Sequence, residues 1–331
     1  MKRIIYFLSI SVLLFSCKKK ETEYLITYPD YFPQPHYNFT NNDFSKARFE
    51  LGRKIFHDTR LSSDNSISCA TCHAQVHAFA DHGVSLSSGV NGTLGTRNSP
   101  AIFNMIWSKH FNWDGGVNHL EIFPFAPITN PLEMNEDISN VLQKLNSDSE
   151  YKKMFQNAYG NSEITDQLLY RALAVFMGAL ISADSKYDKM RKGKATFTSS
   201  EERGYNLFKQ NCNSCHNEPL FHNNDFANNG LDEQFEDFGR YLITLNESDK
   251  GKFKVPTLRN IELTYPYMHD GRFQTLSQVI NHYSEGIKQS STLHPLLSQP
   301  FQFSVQEKQD LTAFLRTLTD YTLTSKFEFS E

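Results

Sequence analysis

The sequence predicts an all-α protein of two similar domains, each organised around one covalently bound group. Three observations carry this. First, Cys69-Ala70-Thr71-Cys72-His73 and Cys212-Asn213-Ser214-Cys215-His216 are two copies of C-x-x-C-H, the attachment signature of c-type haem. The two thiols add across the haem vinyl groups, and the adjacent histidine supplies the proximal nitrogen to iron. Second, Gly52-Arg53-Lys54-Ile55-Phe56 precedes the first copy and Gly204-Tyr205-Asn206-Leu207-Phe208 precedes the second, so a helix and its motif repeat together. Third, apolar residues recur at helical spacing while strand signals are weak throughout. A zinc site would need tetrahedral closure by four soft ligands, and a redox C-x-x-C does not call for a histidine immediately after it. The duplicated motif reads instead as a di-haem cytochrome with two haem c groups.

The expected order runs as follows. Residues 1–17 read as an export signal, with Lys2 and Arg3 before an apolar run from Ile4 to Phe15. That run is about half of the ~20 residues needed to span a bilayer. Leu14-Phe15-Ser16-Cys17 resembles a lipoprotein cleavage box with Cys17 as the lipidated terminus; the alternative is an ordinary cleaved signal. Cys17 is the one cysteine of five outside the haem motifs, so no disulfide is expected. Residues 18–40 are polar, carry Pro29, Pro33 and Pro35, and read as a tether followed by an extended arm. Residues 41–193 form the first cytochrome c-like domain and 194–331 the second, with a boundary near Lys192-Gly193-Lys194.

Within the first domain, Ile138, Val141, Leu142 and Leu145 show helical spacing. Residues 165–185 read as a longer helix, apolar on most sides and therefore buried. In the second domain, Thr198 with Glu201, Thr275 with Gln278 and Ser304 with Glu307 are capping boxes that start helices. Residues 78–104 and 221–256 read as long loops. The net charge of −4 and the absence of a basic run beyond Lys18-Lys19-Lys20 argue against a nucleic-acid partner.

With both haem motifs placed, further stretches carry a resemblance. They are Arg97-Asn98-Ser99-Pro100, Asn112-Trp113-Asp114-Gly115 and Ile128-Thr129-Asn130-Pro131-Leu132-Glu133-Met134 in the first domain. In the second they are Phe253-Lys254-Val255-Pro256-Thr257-Leu258-Arg259-Asn260 and Pro266-Tyr267-Met268-His269-Asp270-Gly271. Over about residues 45–320 the chain resembles the bacterial di-haem cytochrome c peroxidases and their MauG-like relatives. The resemblance implies a peroxidatic haem at His73 and an electron-transfer haem at His216, with Trp113 between them. It implies Glu133 as the distal acid/base, since peroxide heterolysis moves a proton between the two oxygens. It also implies a Ca2+ held by the Asn98 side chain and the carbonyls of Thr264 and Pro266, with waters. Arg97 and Arg259 are candidates for haem propionates or for structural salt bridges.

Three departures from the family pattern bear on chemistry. Val90 stands where many relatives place a histidine that blocks the peroxidatic iron, which implies an open position there; His77 and His82 are the nearby alternatives. Tyr283 stands where an axial methionine is common. Leu276, Val279 and Tyr283 fall at i, i+3 and i+7, on one helix face, and MauG-like enzymes use a tyrosine here. Met268 and His282 are its competitors as haem 2 ligand. Phe123 replaces a distal glutamine. The expected function is reduction of H2O2 with electrons from a small cytochrome c or copper protein, in the cell envelope or periplasm. The alternatives are MauG-like oxidation of a partner protein's side chains, or electron transfer without catalysis.

Overall fold

The structure is a computed structural model that describes residues 26–331. The expected export signal, Cys17 and the first part of the expected tether lie outside the described residues. The helices are α1 (Lys46–His57), α2 (Cys69–Cys72), α3 (Phe125–Thr129), α4 (Ile138–Asn146), α5 (Ser149–Tyr159) and α6 (Asp166–Ala179). They continue with α7 (Lys186–Arg191), α8 (Ser199–Asn211), α9 (Tyr241–Thr244), α10 (Leu276–Asn281), α11 (Val305–Arg316) and α12 (Tyr321–Ser325). The sheet among the described residues is a ribbon of β1 (Phe226–Ala227) against β2 (Phe253–Lys254). The fold is thus mostly helical.

Each half is built on one close helix crossing, and the repeated glycine makes it possible. Ser45 caps α1 by accepting from the Arg48 N–H, and α1 then crosses α6 at Gly52. A Cβ at Gly52 would lie 2.1 Å from the Ala172 carbonyl oxygen. In the second half the Thr198–Glu201 capping box starts α8, which crosses α11 at Gly204. A Cβ there would lie 1.9 Å from the Asp310 carbonyl oxygen. Four residues on, the paired phenylalanines meet in both crossings: Phe56 on Phe176 at 4.9 Å and Phe208 on Phe314 at 5.1 Å between ring centroids. The sequence repeat is therefore a repeat of packing.

The helix expected over 165–185 ends at Ala179, where Leu180 leaves helical geometry. The helix begun by Thr275 gives way at His282–Gly286 to a wider π-turn. The stretch expected to be loop over 221–256 contains α9 and both strands.

Two apolar clusters form. The first runs from Phe32 through α1 and α6 and takes in Leu323 and Phe329; the second takes in Tyr187, Phe208, Phe314 and Leu318. Residues 26–40 lie on the first cluster. Phe32 is buried, and the Pro33 carbonyl accepts from Trp107 Nε1 at 2.7 Å. The last residues return to the first half. Phe329 packs near Phe49, Phe79 and Phe176, while Gln75 donates to the Leu323 and Lys326 carbonyls.

Candidate active site

The two proximal histidines are held alike. His73 follows α2, and its backbone N–H returns to the Cys69 carbonyl; His216 returns to Cys212 in the same way. His73 Nδ1 lies 3.0 Å from the Phe79 carbonyl oxygen. His216 Nδ1 lies 3.0 Å from the Pro256 and 3.2 Å from the Phe221 carbonyl oxygen. A carbonyl only accepts, so Nδ1 carries the proton and Nε2 keeps its lone pair for a metal. Phe79 and Phe221 are both fully buried, with φ of 58° and 57°. This left-handed backbone is uncommon for a bulky residue. Burial pushes the Cys69 and Cys212 thiols up to about 12, and Cys72 up to about 11, helped by Asp81 and Glu133. These are not the lowered thiols of a redox pair. They suit cysteines consumed as thioethers, so both sites fit a haem.

Near the first motif, where its charge acts on Cys72, Glu133 ends the turn after α3. Its N–H returns to the Asn130 carbonyl at 3.0 Å, and Asn130 Nδ2 donates to Oε1 at 2.7 Å. Glu133 is an exposed residue, yet the protein packed around its carboxylate desolvates it. That desolvation raises its pKa, with Asn130 opposing. The Val90 N–H donates to the Glu133 carbonyl at 2.8 Å, and Val90 itself is buried. A Cβ at Gly89 would lie 2.1 Å from the Leu132 carbonyl oxygen, so the Val90 loop is seated directly on the Glu133 turn. His77 and His82 stack on each other at 3.6 Å, and His82 Nε2 lies 2.8 Å from the Tyr265 hydroxyl. His82 thus has a partner in Tyr265.

A single cavity contains Cys212, Cys215 and His216 together with Trp113, Tyr283 and Met268. Asn98, Thr264 and Pro266 line it too, as does Phe123, which packs 5.3 Å from Phe111. Trp113 Nε1 donates to the Asn98 carbonyl at 2.8 Å. Asn98 uses its Nδ2 on the Ser85 carbonyl at 3.1 Å. Burial pushes the Tyr283 phenol up to about 12; Asn229 opposes this, and the Cys212 and Cys215 thiols add to it. Asn229 was not foreseen. Its Nδ2 lies 3.3 Å from the Tyr283 hydroxyl and 3.4 Å from Met268 Sδ, so both ligand candidates meet on one amide. His282 does not line this cavity, and its Nε2 lies 3.0 Å from the Asn229 carbonyl oxygen.

The two arginines are taken by carboxylates. Arg97 grips Asp237 with two N–H groups at 2.6 and 2.9 Å and Asp114 with a third at 2.5 Å. Arg259 is fully buried, paired with both oxygens of Asp188 at 2.8 and 2.9 Å and with the Pro219 carbonyl. Burial alone would raise Asp188; Arg259 outweighs it and holds the carboxyl below its usual range. Both arginines thus form ion pairs with carboxylates.

Comparison with known proteins agrees with this construction. Residues 46–196 match the family model for di-haem cytochrome c peroxidase, and residues 201–319 match that for cytochrome c. The methylamine utilization protein MauG of Methylorubrum extorquens is 33% identical over 296 residues, covering 88% of this chain and 82% of the relative. The cytochrome c551 peroxidase of Nitrosomonas europaea is 35% identical over 276 residues, covering 82% of this chain and 79% of the relative. A solved MauG-like protein associated with microbial copper homeostasis superposes with a TM-score of 0.86 at 33% identity, covering 91% of this chain and 97% of that one. With two haem c motifs, two helical halves and relatives of both kinds across its length, the chain belongs to the enzyme family of di-haem cytochrome c peroxidases and MauG.

Proposed function

We propose that the chain reduces H2O2 to water with electrons from a small redox protein, a cytochrome c or a copper protein. One observation carries the reading: a carboxylate, Glu133, stands with Val90 beside the first haem motif. The haem attached at Cys69 and Cys72 and ligated by His73 supplies the redox chemistry. The protein's part is the proton. Asn130 occupies Oε1 of Glu133, which leaves Oε2 to take the proton from the inner peroxide oxygen and return it to the outer one. A raised pKa brings the group nearer its working pH, which favours transfer in both directions. Trp113 relays electrons from the haem at His216.

Tyr283 favours a second reading. Its phenol shares a cavity with Cys212, Cys215 and His216, and a phenolate ligand would favour oxidised iron, as a MauG-like enzyme acting on a protein side chain requires. Met268 on the same amide would favour the donor-driven peroxidase. Ca2+ is proposed between the halves, on Asn98, Thr264 and Pro266; neutral oxygens with waters suit this hard cation. Export to the periplasm and lipid attachment through Cys17 complete the proposal.

The test is stopped-flow mixing of the ferric protein with H2O2, followed by reduced cytochrome c. Reaction without prior reduction, then oxidation of the donor, is expected. A protein inert to peroxide would be an electron-transfer cytochrome.

A further inference from the structure

With Arg97 and Arg259 paired with carboxylates, other basic side chains line the second haem cavity; besides His216, His269 and His294 these are His110, His222 and Lys254. Lys254 is brought down to about 8 by burial alone; no carboxylate is near enough to offset it. His222 is held near 3 by burial and then by Lys254, His216 and Arg259. His110 is lowered by burial, then by Arg240, Lys109, His36 and Lys254. Every charged neighbour that acts on the two histidines is basic. His110 Nδ1 is buried without a hydrogen-bond partner. Polar and charged groups are rarely left this way, because burial unpaired is costly.

The cluster is firmly placed. The Lys254 N–H donates to the Trp113 carbonyl at 2.7 Å. Lys254 pairs with Phe226 across the ribbon, and the His110 ring lies 5.4 Å from that of Phe226. The three basic groups thus share the space between the ribbon, Trp113 and the Cys212–His216 motif. What this space lacks is an anion. Haem c carries two carboxylates on the edge opposite its thioether bonds.

We propose that Lys254, with His222 and His110 beside it, binds the propionate carboxylates of the haem attached at Cys212 and Cys215. The assignment rests on that haem being attached there and not on the peroxide chemistry at the other site. A free oxyanion such as phosphate is the other source of the same chemistry.

The experiment uses the full chain with both haems attached, their number verified by intact mass. The midpoint potential of the second haem is followed across pH in wild type, Lys254→Met and Lys254→Arg. Loss of the ammonium should lower that potential, because a nearby cation disfavours ferric iron. It should also raise the proton affinity of the propionates about tenfold, moving the bend in the potential–pH curve up by about one pH unit. Lys254→Arg should stay near wild type, and the first haem should not respond. If Lys254→Met does not retain both haems, Lys254→Gln carries the same expectation. An unchanged curve in a variant holding both haems overturns the proposal. So does a saturable shift of the wild-type potential by added phosphate that disappears in the variant, since a free anion would then occupy the cluster. An inert first haem would refute the peroxidase reading and leave this result standing.

Discussion

The two halves of the chain hold the histidine of each haem motif alike and differ in the other residues gathered near it. Gly52 and Gly204 make the same helix crossing, and the carbonyls of Phe79 and Phe221 hold the same histidine nitrogen. Near these, the first half presents Glu133 and Val90, and the second presents Tyr283, Met268 and Asn229. Attachment of the group is therefore a property of the repeat. What each group does is set by the side that the repeat leaves free to differ.

The strongest way to break this comparison is Glu133→Gln. Glutamine keeps the size and the Asn130 contact but cannot shuttle a proton. The peroxide reaction should slow by about 10²–10⁴-fold, while both haems stay attached and the second haem keeps its spectrum. An unchanged stopped-flow rate would remove Glu133 from the chemistry and leave the halves functionally alike.

The agreement of the halves can be tested by Gly52→Ala and Gly204→Ala. Each added methyl meets a backbone carbonyl about 2 Å away, which cannot swing aside. Overpacking of this kind costs about 1–3 kcal/mol. Denaturant melts should show similar losses for both. A loss in only one would mean that the two crossings are not equivalent.

The pH dependence sharpens the distal contrast. Glu133 must be ionised to take the peroxide proton, and burial holds its pKa above the ordinary carboxylate value. The rate constant for H2O2 should therefore fall with acidity at a pH above that value. This limb should be missing from Glu133→Gln.

The smallest expected change is spectroscopic. Tyr283→Met should raise the potential of the second haem, because a thioether favours ferrous iron where a phenolate favours ferric. Donor turnover should improve, and the peroxide-oxidised protein should decay sooner. If neither spectrum nor potential moves, Met268, held by the same Asn229, becomes the ligand candidate.

Much of this was legible in the sequence because it is local. A C-x-x-C-H motif, or a capping box such as Thr198 with Glu201, spans five residues or fewer. The Gly-to-Phe repeat preserved the helix crossings even though each partner helix lies over a hundred residues away. The unread parts are backbone atoms and distant partners. No side chain announces that the Phe79 and Phe221 carbonyls turn toward imidazoles, although a phenylalanine six and five residues after each histidine was a faint signal. Arg259 finds Asp188 71 residues away, and Arg97 finds Asp237 140 away. One sequence gives no measure of such pairings. Nor does a heptad count reveal the π-turn that carries Tyr283.

Residues 321–329 lie against the first half, where Phe329 closes the cluster of Phe49, Phe79 and Phe176. The Phe79 whose carbonyl orients His73 thus has part of its wall supplied from the far end of the chain. The first half therefore has a core that its own residues do not complete, and removing residues 321–329 would expose the aromatic wall behind His73.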